Sequence, residues 1–106
     1  MQDYVIDVAK QFSARPYGRH LIDGDHNGEA FRKELLADAI KSHPHVTVDL
    51  SGSYYYGAAF LEEAFGGLVR DNFSKDELDR KLEIVHRTLP SIAAQARLYI
   101  QEAAAR

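Results

Sequence analysis

The stretch from Val46 to Val69 constrains this chain most, because the hydrophobic period changes once within it. Val46-Thr47-Val48-Asp49-Leu50 is β-branched and alternates with period two, the pattern of a strand. Ser51-Gly52-Ser53 stops it. From Ala58 onward Phe60, Leu61, Ala64, Phe65, Leu68 and Val69 recur at helical spacing. A strand that hands over to a helix across a short loop is the repeating unit of a layered α/β fold. Gly66-Gly67 lies inside that helix and costs about 1 kcal/mol per glycine relative to alanine. Such a pair is expected where a helix backbone packs closely against a sheet.

The flanking sequence extends this unit in both directions. Tyr4 to Val8 reads as a first strand, and Pro16 and Gly18 break the chain after it. Arg19-His20-Leu21-Ile22 is expected to be a second short strand, followed by turn chemistry from Asp23 to Gly28. Phe31, Leu35, Leu36, Ala39 and Ile40 then form one helical stripe, ended by Lys41, Ser42 and Pro44. Ser74 with Glu77 is a capping box for a short helical turn, and Leu82 to Val85 alternates as a strand. Leu89 to Ala104 closes the chain as an alanine-rich helix with Pro90 in its first turn. Strand, strand, helix, strand, helix, strand, helix predicts an α/β layered plan with right-handed crossovers. At 106 residues the chain is expected to be one domain, 1–106, burying roughly 65% of its unfolded surface.

Composition removes several functions. There is no cysteine, so disulfides, thiolate metal sites and cysteine nucleophiles are excluded. Thirteen Lys+Arg against sixteen Asp+Glu leave a net charge of −3 and no basic field for nucleic acid or an anionic membrane. No apolar run approaches the ~20 residues that span a bilayer. The start, Met1-Gln2-Asp3-Tyr4-Val5, lacks the basic and apolar regions of a secretion signal, so a cytoplasmic protein is expected.

The run V-T-V-D-L-S-G-S-Y-Y-Y-G-A-A-F-L-E-E-A-F-G-G-L-V resembles the central strand, loop and helix of STAS domains, the fold of anti-sigma factor antagonists. It is more similar still to a bacterial STAS-like family of unknown function. The matching features are an N-terminal loop with Arg15 and Arg19, the helix start Gly28-Glu29-Ala30-Phe31-Arg32, Val48 to Gly52, and Phe60 to Val69. The resemblance runs from Tyr4 to Val85. It implies a single STAS-like domain with a four- to five-stranded mixed sheet and three main helices largely on one face. It also implies a non-catalytic regulatory role with a protein partner, such as a histidine-kinase-like ATPase or another regulator; a homodimer is a separate expectation. In antagonists of this kind the loop before the central helix carries the regulatory phosphoserine. Gly57, Ala58 and Ala59 occupy that stretch here, so the usual switch does not carry over.

Three constellations invite chemistry. Asp23, Asp25, Asn27 and Glu34 have the spacing of an EF-hand calcium loop, a set of oxygen ligands suited to a hard cation. Pro16 and Gly18 exclude the entering helix that such a loop needs, there is no second loop, and a cap on the following helix is the competing reading. His20, Asp23, Asp25 and His26 suit a transition metal by ligand type, but their spacing matches no known site. No cofactor or metal is therefore expected. The alternative function is a small-ligand sensor, binding calcium in the Asp23–Glu34 loop or a phosphate or nucleotide in the Arg15–Glu29 loop through Arg15, Arg19, Arg32 and the helix start at Gly28. Against the latter stands pairing of the arginines with Asp23, Asp25 or Glu29.

Tyr54, Tyr55 and Tyr56 follow a strand end, where open α/β sheets carry their functional loops. With Glu62 and Glu63 as a polar rim on the next helix, they are the expected interaction surface. Asp49 is expected to bond loop N–H groups. No nucleophile–base–orienter motif is present, so no enzyme activity is expected.

Overall fold

The computed structural model describes residues 4–53 and 55–106. Three strands, β1 (Tyr4–Asp7), β2 (Val46–Asp49) and β3 (Leu82–Val85), form a sheet in the order β1-β2-β3. Both pairings are parallel, with Ile6 beside Val48 and Val48 beside Ile84. Among the described residues five helices accompany them. Helix α1 is Val8–Gln11, α4 is Lys75–Lys81 and α5 is Pro90–Ala104. Helix α2 spans 28–42 and α3 spans 58–70, each with a π-helical stretch in its middle, Arg32–Leu36 and Glu62–Gly66. There the Ala37 and Gly67 N–H groups donate to the carbonyls of Arg32 and Glu62, five residues back.

The layered α/β plan holds, but the four- to five-stranded mixed sheet with three helices does not. Among the described residues the sheet has three strands, all parallel. The segment expected as a second strand is a loop ending in a 3₁₀ turn, Leu21–Asp23. Its backbone groups are consumed locally. Asp23 Oδ2 accepts the N–H groups of Arg19 at 3.0 Å and His20 at 3.3 Å. Tyr17 N–H donates to the His26 carbonyl, while Gly28 and Glu29 donate to Gly18 and Arg19. Gly18 makes this closure possible: it sits at φ +78°, and a Cβ there would lie 2.9 Å from Asp23 Cγ.

Parallel neighbours in consecutive order require crossovers of one hand, which set α2 and α3 on the same face of the sheet. Ile6, Val46, Val48 and Leu82 are buried on that face, while Val5 and Glu83 on the other are exposed. Phe31 anchors the space between the helices, with ring centroids 5.4 Å from Phe12, 6.0 Å from Phe60 and 6.3 Å from Phe65. Helix α5 contributes Ala96 and Ile100 to the same core. Among the described residues no helix is long and apolar enough to cross a membrane.

Candidate functional site

Two structures are built where the helices and the strand exits meet. The first is an ion cluster between α2 and α3. Arg32, buried in the π-helical stretch of α2, donates through Nη1 to the Glu63 carboxylate at 2.9 Å and also to the Glu63 carbonyl. Its Nε donates to Asp71 Oδ2 at 2.8 Å. Glu62 accepts Arg19 Nη1 at 2.5 Å and Arg70 Nη1 at 2.7 Å. Glu62 and Glu63, expected to form a polar rim, are instead turned inward by arginines distant in sequence. Gly67 explains half of the glycine pair in α3. A Cβ there would lie 2.6 Å from Arg32 Cζ, so the close approach is to a guanidinium and not to the sheet.

This cluster also separates the residues considered as an anion site. Arg19 and Arg32 are committed to carboxylates, and Arg15 lies in a different hollow. The helix start at Gly28 has its N–H groups taken: Gly28 and Glu29 donate to loop carbonyls, and Ala30 donates to Asn27 Oδ1 at 2.8 Å. The calcium pattern is likewise spent on local structure. Asp23 caps the turn, Asn27 caps α2 and bonds the Gly24 carbonyl, and Asp25 and Glu34 are exposed. Among the described residues no three His, Cys, Asp or Glu side chains assemble into a metal site.

The hydrogen bonds from Arg70 hold the Glu62 carboxyl below its ordinary 4.5, against the opposing effect of partial burial and with help from Arg19. A carboxylate depressed on folding stabilises the protein above its unfolded pKa and loses that effect as pH falls through the folded value. Wild type and Glu62→Gln are therefore expected to differ in urea midpoint near pH 7. The two midpoints should converge as pH is lowered past 4.5, and parallel curves down to strong acid would refute the pairing.

The second structure is a cleft at the strand exits. Leu50 continues the line of β2 by donating to the Val85 carbonyl at 2.8 Å, and Asp49 Oδ1 accepts the Ser51 N–H at 2.9 Å. Burial raises the pKa of Asp49, but the Ser51 hydrogen bonds and then Arg87 and His86 outweigh it, leaving it below the ordinary value. Tyr56 is fastened to the core: its hydroxyl donates to the Leu50 carbonyl at 2.9 Å and its ring lies 6.1 Å from Phe60. Burial pushes its phenol pKa up. His86, unremarked by sequence pattern, ties the loop to α5. Its Nδ1 accepts the Thr88 and Leu89 N–H groups at 3.3 and 3.0 Å, leaving Nε2–H to donate to the Ser53 carbonyl at 2.8 Å. The only sequence signal for it is a histidine directly after a strand.

Between this loop and the loop after α1 lies a cleft of about 420 Å³, with Arg15, Pro16 and Tyr17 on one wall and Ser53 and Tyr55 on the other. Tyr55 is 69% exposed and Tyr17 59% exposed. Tyr54 lies outside the described residues.

A parallel α/β domain with its loops open at the strand exits is the class that these features define. Comparison with family models is more specific, since the STAS-like domain of unknown function (DUF4325) matches residues 27–91. The chain belongs to this family of STAS-like domains. Searches of curated proteins and of solved structures return no match. The matched segment contains β2, β3 and the Tyr55 wall, whereas the Arg15–Tyr17 wall precedes it.

Proposed function

We propose that this protein is a non-catalytic, cytoplasmic regulatory domain that works by binding another protein at its strand-exit cleft. The observation that carries this reading is the pair of exposed tyrosines, Tyr17 and Tyr55, on opposite walls of one cleft. Tyrosine offers a large amphipathic contact at low entropic cost, and such side chains serve as interface anchors. On the described residues flanking it, Ser53 Oγ bonds the Tyr55 backbone and His86 holds the Ser53 carbonyl. Backbone groups held in this way lower the ordering cost of binding. A histidine-kinase-like ATPase or another regulator is the partner class implied by related domains. In this reading the surface is not switched by serine phosphorylation at the start of α3, because Gly57, Ala58 and Ala59 carry no hydroxyl.

The test is capture of partners on immobilised protein, followed by titration of the partner recovered. Tyr55→Ala is expected to weaken binding by about 1–3 kcal/mol. Its own stability should change by less than about 0.5 kcal/mol, because an exposed ring adds little to the core. Leu98→Ala, an exposed change on α5, is the control and should bind as wild type does. Equal binding by both variants would sink the assignment.

A further inference from the structure

The loop between α1 and α2 has a second unexplained feature besides its share of the cleft. Its tip exposes Leu21 at 72% and Ile22 at 94%. Adjacent large apolar side chains displayed in this way, next to a polar surround, mark a contact surface. The tip is rigid, since the Tyr17–His26, Gly18–Gly28 and Arg19–Glu29 backbone bonds close the loop beneath it. Docking it therefore costs little ordering.

Charge on the loop is complementary to charge in the cleft. Asp25 borders the same shallow hollow as Leu21 and is exposed. Among the described residues its carboxylate makes no ion pair, whereas Asp23 is occupied by the Arg19 and His20 N–H groups. Arg15 is its counterpart: it lines the apolar cleft, is exposed, and its guanidinium makes no ion pair among the described residues. The chain thus displays an apolar tip with a free carboxylate and an apolar cleft with a free guanidinium.

We propose that the occupant of the cleft is a second copy of this chain, with its Leu21–Ile22 tip between Tyr17 and Tyr55 and its Asp25 facing Arg15. Tip and cleft wall belong to one loop, so a two-fold axis beside that loop forms both contacts together and closes the assembly as a dimer. This inference rests on the reading of the cleft as a protein-docking surface and names the partner.

Sedimentation equilibrium of the full chain over a concentration series tests it. The mean mass is expected to rise from 11.9 kDa toward twice that value. Ile22→Ser, Arg15→Glu and Asp25→Arg should each raise the dimer dissociation constant about tenfold or more. The double variant Arg15→Glu/Asp25→Arg should return it to within about threefold of wild type, because the pair is re-formed with its signs exchanged. All these positions are exposed, so melting curves taken at concentrations where wild type is monomeric should superimpose, and folding failure is separable from lost association. A wild type that stays monomeric throughout, or a double variant no better than its parents, overturns the second-copy assignment. If that happens while Tyr55→Ala still loses a captured partner, the docking surface stands and its occupant is a different protein. If the charge swap behaves as stated but Tyr55→Ala keeps its captured partner, the dimer stands and the cleft is not that partner's site.

Discussion

Arg32→Ala is expected to lower the stability of this protein by about 3–5 kcal/mol, read as a fall in urea midpoint without a change in slope. The side chain is buried and its guanidinium serves two elements at once, Glu63 in the middle of α3 and Asp71 just beyond its end. Removing it leaves the largely buried Glu63 carboxylate without its bond from Arg32 and opens a void beside Gly67. Arg19 and Arg70 stay 3.6 Å from the Glu63 carboxylate, beyond hydrogen-bond length, so the loss comes mainly from its one close donor, because intact buried pairs contribute little net and broken ones cost much. Arg32→Lys should recover less than half of it: a single ammonium lacks the planar fork that reaches Asp71 through Nε and Glu63 through Nη1. A change below about 1 kcal/mol for Arg32→Ala would show that the cluster is not structural.

Gly67→Ala is expected to destabilise by about 2–3 kcal/mol, although alanine is the better helix former by about 1 kcal/mol. A Cβ at this position would sit 2.6 Å from Arg32 Cζ and 3.0 Å from Nε. A free arginine tip would swing aside, but this one is held by Glu63 and Asp71. In an Arg32→Ala background the obstacle is gone, so Gly67→Ala should become neutral or stabilising by up to about 1 kcal/mol. A double-mutant cycle measures this coupling. Additive effects would mean that the glycine is there for a reason other than the guanidinium.

These two residues show where sequence reading reaches its limit. The hydrophobic period locates β2, α2, α3, β3 and α5, because each buries a stripe that repeats within its own few turns. It also marks Gly66-Gly67 as a close approach. It names the wrong neighbour, since Arg32 lies more than thirty residues away and only the crossing of α2 over α3 brings it there. Glu62-Glu63 reads as a solvated pair for the same reason: both carboxylates meet arginines on other segments. Arg19 to Ile22 looks like a strand because apolar and polar residues mix there, yet Asp23 closes the backbone into a loop and leaves the apolar side chains outside.

At the strand exits the division is similar. Three consecutive tyrosines announce a surface loop, but their sequence does not distinguish Tyr56, with its hydroxyl on the Leu50 carbonyl, from the exposed Tyr55. Nor does it reveal that His86 holds that loop against α5, or that Arg15 and Tyr17 form the facing wall. By itself the sequence determined the α/β class, the positions of β2, α2, α3, β3 and α5, the family, and the absence of cysteine chemistry, because these depend on local period and composition. The tertiary structure alone decided the strand count, the burial of the ion cluster and the walls of the cleft. Each of those depends on which distant segments meet, and that is set by the packing of helices on the sheet rather than by any residue's near neighbours.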